Sequence, residues 1–329
     1  MSDTCTHMVP HAYTRLQAYQ YDPTRTLTLR NAFVRAVRKR FKELSAMVYK
    51  TIVTDDCFGL QVGAYSNLNS PGRQAFNFPR TSQKVEAFMQ WLRRQEDLGL
   101  LQVGQFERIG ESVEGAWTNL YIMDSYKRGV QRARAEMKKA GYDVPTVEAS
   151  GGITAIMGTP FHIDRVGLLF TRAFEELRGI TAQMDTVISQ VLGQGMVDGD
   201  GALYLARKLV SVIDGAGAGK LGLDISYINR FGTEVKYYMP ARQRAEIMAR
   251  TEVIRAHHAA NIQEYMNWRV LGVTVIAELV TAGDERVCDQ CAGYHGNRYT
   301  LEEAQYMIPV HPQCRCVVIP VNQVKKGEE

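Results

Sequence analysis

The chain has 329 residues, 45% hydrophobic and 22% charged, with a formal net charge of +4; this is enough for two or three domains with real cores. Its composition is that of an ordinary soluble globular protein, and its small positive surplus permits an acidic partner without demanding one. From the polar opening MSDTCTHMVPHAYTR no signal peptide is expected, and the most apolar run, Leu271 to Val280, is too short to span a bilayer and contains Glu278, so no membrane partner is expected.

In chain order, residues 1 to 26 show no periodicity and read as an irregular arm. From about Thr28, Phe33, Val37, Phe41, Leu44, Val48 and Ile52 recur at helical steps and make a single apolar stripe. The other faces carry Arg30, Arg35, Arg38, Lys39, Arg40 and Lys42, a run suited to phosphate or to an acidic protein surface. Asn67 to Pro79 reads as a loop, after which Thr81 or Ser82 is expected to cap a second helix bearing Val85, Phe88, Trp91, Leu92 and Leu98. A third helix is expected from about Ser112 to Ala140, stopped by Gly141 and Pro145. Its last turns hold Lys127, Arg128, Arg132, Arg134, Lys138 and Lys139, cations that also suit a helix C-terminus.

Val144 to Pro160 is rich in glycine and proline and marks a boundary. A long helix is predicted from Asp164 to about Leu192 and another from Gly201 to Ile213. Asp198-Gly-Asp200-Gly lacks the later ligands of a calcium loop and reads as a capped turn. Gly215 to Lys220 has neither the earlier glycine nor the final Ser or Thr of a phosphate loop and reads as a linker. A helix over 241–268 carries His257 and His258, which as helical neighbours point about 100° apart and rarely share one metal. Val270 to Val280 and Cys316 to Val321 read as strands. The division expected is a helical region over 1–150, a helical middle region and linker over 151–240, and a C-terminal domain over 241–325. The fold class is α+β and predominantly α-helical, with long N-terminal helices and a small C-terminal helix-strand module.

Four of the six cysteines crowd into that module, as Cys288-x-x-Cys291 and His311-Pro-Gln-Cys314-Arg-Cys316. In a reducing compartment such a cluster favours metal thiolates over disulfides. An antiparallel pair of strands would bring both halves to one end of a small sheet, with a short helix between them that Thr300-Leu-Glu-Glu303 opens as a capping box and Pro309 ends. Three donors in the second half compete for two places. Cys288, Cys291, His311 and Cys314 form the preferred zinc set, with Cys316 as core or as the alternative fourth ligand. Four protein ligands leave no open position, so the zinc expected is structural. Asp284, Glu285 and Asp289 read as charged turn residues, and with no complete catalytic constellation neither enzymatic activity nor a small-molecule substrate is expected.

The same residues carry a resemblance. Arg250-Thr251-Glu252 with Asn261 on a helix, then Trp268, a valine-rich strand, Ala282-Gly-Asp284-Glu285-Arg286-Val287-Cys288-x-x-Cys291, Gly296, Tyr299 and His311-Pro-x-Cys314-Arg-Cys316 resemble the phage Mu protein F-like family of minor head, or head morphogenesis, proteins. The resemblance covers about residues 241–321, and residues 1–240 carry no motif of the family. It implies a structural virion component, made in the host cytoplasm and present in few copies. Such a component associates with the portal protein and other head proteins at the portal vertex inside the head, supporting assembly, DNA packaging or DNA delivery. With few residues after the last strand, the chain is not expected to carry the toxin domain that follows this region in some relatives. The basic residues Arg35, Arg38, Lys39, Arg40, Lys42, Arg132, Arg134, Lys138 and Lys139 are the candidates for contact with packaged DNA or an acidic portal surface. The main alternative is a zinc-containing nuclease of the His-Asn-His kind, for which His295 is the obvious catalytic histidine. An ADP-ribosyl transferase and a zinc-ribbon nucleic-acid module are further rivals.

Overall fold

The computed structural model describes residues 22–61, 76, 78–215, 225–228, 234–237 and 239–321. Most of these are helical, and the strands are short, as the α+β reading requires. Helix α1 spans Leu27–Tyr49 and runs on into a π-helical turn, Lys50–Thr54. Its stripe Phe33, Val37, Phe41, Leu44, Val48 and Ile52 is at most 1% exposed. Each such side chain, fully buried, contributes roughly 1.5–3 kcal/mol. Helix α2 (Thr81–Gly99) starts after Arg80, and no side chain caps it, so neither Thr81 nor Ser82 plays the expected capping role.

The expected third helix is shorter at its start. Val103–Arg108 (β1) and Glu111–Ala116 (β2) form an antiparallel hairpin instead, with Arg108 opposite Glu111. Ile109 and Gly110 both take positive φ, 52° and 76°, which is the geometry of a tight two-residue hairpin turn and outcompetes helix at Ser112. Helix α3 is Asn119–Lys139, followed by α4 (Gly152–Met157), α5 (Pro160–Asp198) and α6 (Ala202–Asp214). Gly199, at φ 74°, ends α5, and Asp200 then pairs with Lys208 at 2.6 Å, which accounts for the Asp-Gly-Asp-Gly segment as a turn. The linker residues 216–220 and most of the loop 67–79 lie outside the described residues.

Strands β3 (Ile225–Ile228) and β4 (Glu234–Tyr237) pair antiparallel, and α7 covers Ala241–Val270. Because α7 continues to Val270 and Gly272 turns at φ 89°, the next strand is Ile276–Val280 (β5), shorter than the expected Val270 to Val280. Then come α8 (Asp289–Tyr294), β6 (Arg298–Tyr299), α9 (Leu301–Ala304) and β7 (Val317–Val321). The capping box is present: Thr300 Oγ1 accepts from the Glu303 N–H, and the Thr300 N–H donates to Glu303 Oε2 at 2.9 Å. No helix among the described residues is long and apolar enough to cross a membrane.

The chain divides into two compact units, each assembled from separate segments. One comprises Phe33–Trp117 and Phe174–Ala249. Its core holds the α1 stripe, with Phe33 edge-on to Trp117 at 5.5 Å and Arg40 stacked 4.0 Å over the same indole. The other comprises the chain up to Ala32, Thr118–Ala173 and the chain from Arg250.

This second unit contains the three-stranded sheet in the order β6-β5-β7. All five residues of β7 are buried, so the strand reads as an unbroken apolar run, and Pro320 is tolerated because β7 is an edge of that sheet. Helix α3 packs on β7, and Met137, Ile254, Ile262, Tyr265, Leu279 and Val318 close one core with three of the cysteines. Helices α3 and α7 approach so closely that a Cβ at Gly129 would lie 2.5 Å from the His257 carbonyl oxygen, and Ser125 donates to the Val253 carbonyl at 2.6 Å.

Candidate metal centre

Strands β5 and β7 pair antiparallel with Val280 opposite Val317, so the segments that leave and enter them meet at one end of the sheet. The two cysteine motifs are therefore neighbours. In the first, Cys288 caps α8, and its sulfur accepts from the Cys291 N–H at 3.4 Å, which turns both thiols to the same side. In the second, the Cys314 N–H donates to the His311 carbonyl at 3.1 Å, and Gln313 takes the left-handed φ of 64° that the tight turn needs.

His311 Nε2 lies 3.4 Å from Cys288 Sγ and 3.2 Å from Cys291 Sγ. On its other side, His311 Nδ1 is 2.8 Å from the Pro312 carbonyl oxygen. A carbonyl only accepts, so Nδ1 carries the proton and Nε2 presents its lone pair to the two sulfurs. Ligands around a tetrahedral ion, at about 2.3 Å for sulfur and about 2.0 Å for nitrogen, stand roughly 3.5 Å apart. The donor set fits that requirement and can hold a metal ion.

Cys291, Cys314 and Cys316 form a second triad, and Cys291 belongs to both. These three thiols are at most 3% exposed, whereas Cys288 is exposed. Burial, joined by Cys314 and Cys288 and opposed by the bond from Cys316, pushes the Cys291 thiol up to about 12. The Cys316 thiol donates to Cys314, which holds Cys314 well below the ordinary thiol range and Cys316 above it. Closely set thiolates repel one another, and a divalent cation between them removes that repulsion. Cys314 and Cys316 stand equally as members of the second triad, so the fourth place is open to either.

The surroundings fix the two halves together. Asp284 accepts two bonds from Arg315, both 2.6 Å, and another from the Arg286 guanidinium at 2.9 Å. The Arg315 bond holds its carboxyl well below the usual carboxylate range. Asp284 is thus a turn residue and also the clamp joining the Cys288 side to the Cys314 side, while Glu285 and Asp289 are exposed. Arg250 and Thr251 reach the same place: Arg250 donates to Gln313 Oε1 at 2.8 Å, and Thr251 Oγ1 accepts from the Gln313 N–H at 3.0 Å. Glu252 is buried beside Arg172 and Arg255. His258 donates through Nε2 to the Ala304 carbonyl at 2.9 Å, and burial lowers its pKa to about 4. His295 Nδ1 accepts from the Thr281 N–H at 3.1 Å, so this nitrogen, on the histidine that a nuclease reading needs, is engaged in the turn.

The basic candidates fall into two groups, one in each unit. On α1, Arg35, Lys39 and Lys42 are exposed; Arg38 is exposed but donates two bonds to Glu246, and Arg40 is stacked on Trp117. On α3, Lys138 and Lys139 are exposed, but Arg132 and Arg134 are 8% and 9% exposed and turn inward. Arg132 donates to the Pro23 carbonyl, and Arg134 Nε donates to Glu264 at 2.8 Å.

Arg134 leads to a polar centre that the sequence reading missed. Glu264 is 1% exposed, accepts from Arg134 and from Trp268 Nε1 at 3.2 Å, and lies 2.9 Å from His162 Nε2. His162 Nδ1 is 2.9 Å from the Tyr126 hydroxyl. Burial opposes the charge of Glu264, and the His162 bond and Arg134 outweigh it, leaving its pKa lowered. The sequence left no trace of it, since Glu264 is one of three glutamates on α7 and nothing pairs it with residues distant along the chain.

With fold and centre in hand, residues 186–319 match the family model described as phage Mu protein F like protein. The match contains the whole Cys/His module. The region is phage Mu protein F-like, as the motif resemblance implied. No curated protein and no solved structure matches the chain significantly.

Proposed function

We propose that the chain is a structural minor head protein of a tailed phage. It acts at the portal vertex inside the head, assembles there from the host cytoplasm, and supports head assembly, DNA packaging or DNA delivery. The observation that carries this reading is the F-like match over residues 186–319, which takes in the complete Cys/His module. In this reading the module is stapled by Zn2+ held by Cys288, Cys291, His311 and either Cys314 or Cys316. Four protein ligands give a closed shell, so the ion's work is folding and not chemistry. The exposed cations of α1, with Lys138 and Lys139, are the surface for an acidic portal face or packaged DNA, and 241–325 is the F-like C-terminal domain.

Co-expression with the portal protein of the same phage tests it. The portal ring is expected to co-purify with the chain, and Lys39→Glu with Lys42→Glu is expected to weaken the association at least tenfold. Reconstituted heads that never incorporate the chain would overturn the reading. DNA binding through the same cations would fall steeply as salt rises.

A further inference from the structure

The polar centre around Glu264 forms the buried side of a cavity of about 240 Å³, in the unit that holds the three-stranded sheet. An apolar cavity of roughly 150 Å³ already takes up benzene, so there is room here for a slightly larger molecule. Helix α3 supplies Arg134, the start of α5 supplies Phe161 and His162, and α7 supplies Glu264, Asn267 and Trp268. Leu271, just after α7, completes the mouth.

The charges of the buried side are matched within it. Glu264 accepts from Arg134 Nε at 2.8 Å and from Trp268 Nε1 at 3.2 Å, and it lies 2.9 Å from His162 Nε2. The carboxylate therefore needs no cation, and the guanidinium already has its counter-ion, so a charged guest would lose its hydration for nothing in return. What the wall does offer is flat surface. Trp268, Phe161, the His162 imidazole and the Arg134 guanidinium are all planar, with Arg134 Cζ 5.4 Å from the Trp268 ring centre and Phe161 4.8 Å from His162, centre to centre. Such faces stack on a flat guest. Phe161 and Leu271 remain 43% and 70% exposed, which keeps large apolar groups at the mouth. One polar group is left to orient what enters: Asn267 Oδ1 accepts from Gln263 Nε2 at 2.9 Å, and Asn267 Nδ2 has no hydrogen-bond acceptor among the described residues.

We infer that this cavity binds an uncharged aromatic ring that carries a hydrogen-bond acceptor, stacked on Trp268 and Phe161 and met at the acceptor by Asn267. Apolar and aromatic walls with one placed polar group are the usual makeup of a small-molecule site. The inference stands on the cavity and its lining and does not require the head-protein reading. A free aromatic amide and a nucleobase share this chemistry.

The test is titration of the full chain with benzamide, followed by NMR at the indole N–H resonances of its three tryptophans. A saturable shift confined to Trp268 is expected, with a Kd on the order of 1 mM for a ligand of this size. Phe161→Ala and Asn267→Ala should each weaken it at least threefold, and benzoate, of the same shape but charged, should bind at least threefold more weakly than benzamide. Phe161 is exposed and Asn267 half-buried, so both variants should melt as the parent does. No saturable shift at Trp268 in the parent, equal affinity in the parent and both variants, or benzoate binding as tightly as benzamide overturns the proposal. Adding a short single-stranded thymidine oligonucleotide then separates the sources. Displacement of benzamide assigns the cavity to a nucleobase, and benzamide binding undisturbed by the oligonucleotide assigns it to a free aromatic molecule.

Discussion

Two polar clusters in the same unit resolve the cost of burying polar atoms in opposite ways. In the Tyr126–His162–Glu264–Arg134 centre every donor has an acceptor: a carboxylate receives the guanidinium, the imidazole and the indole N–H. In the cysteine module His311 Nε2 presents its lone pair to two sulfurs, its proton being committed to the Pro312 carbonyl, and the only donors facing that lone pair among the described residues are thiols, which are weak ones. The first cluster is complete as it stands, and the second has the donor set to hold a cation. Buried polarity by itself therefore says little about ligands; the balance of donors and acceptors within the cluster says much more.

The largest expected effect breaks the second cluster. Cys291→Ser removes the sulfur common to both triads. Purified parent protein is expected to carry one zinc per chain by elemental analysis, and the variant none. Metal-linked folding free energy in small zinc units is on the order of 10 kcal/mol, so hydrogen exchange over residues 281–321 should lose its protection in the variant. A metal-free parent with full protection across the module would sink the zinc proposal, and so would an undiminished zinc content in the variant.

The next effect tests the complementary cluster. Glu264→Ala leaves Arg134 and His162 facing each other without the carboxylate, and breaking a buried pair costs about 3–5 kcal/mol. Replacing both partners, Arg134→Met with Glu264→Leu, should recover much of that loss, because no charge is then stranded. Urea melts of the single and double variants measure the difference. Added zinc should rescue none of them, and equal destabilisation by the single and double variants would mean that the centre is held by packing and not by charge.

What was legible in the sequence follows the same division. The α1 stripe, the antiparallel pairing of β5 with β7, the capping box and the cysteine grouping all rest on spacing within a short window or on scarce residue types. Arg134 and Glu264 are common residue types, and their pairing is set only by the packing of α3 on α7, which no local pattern encodes. For the same reason Arg132 and Arg134 read like their neighbours Lys138 and Lys139, although burial separates the two pairs. The start of α3 was misplaced on different grounds, since two consecutive positive-φ residues at Ile109 and Gly110 favour a hairpin over the helical run. The two-residue strand β6 is too short to leave a period at all.

The last effect, smallest near pH 5, sharpens the comparison with a third solution, which uses a proton in place of a cation. In the other unit, Glu96 Oε1 and Asp185 Oδ1 are buried oxygens with no hydrogen-bond donor among the described residues. Two acceptors can bond only if one is protonated. Burial first, and then the Asp185 charge, raise the Glu96 carboxyl to about 9, while Arg93 braces Asp185 at 3.0 Å. The folded state thus holds a proton that the unfolded chain releases above the ordinary glutamate range. Unfolding releases that proton between about pH 4.5 and about 9, so stability falls as pH rises across this window. Glu96→Gln supplies a permanent N–H donor of nearly the same shape. It should change stability by less than about 1 kcal/mol near pH 5 and flatten the decline between pH 5 and 9 in thermal melts. An unchanged slope in Glu96→Gln would show that no proton is shared, and that Glu96 and Asp185 are separated by an ordinary solvent bridge.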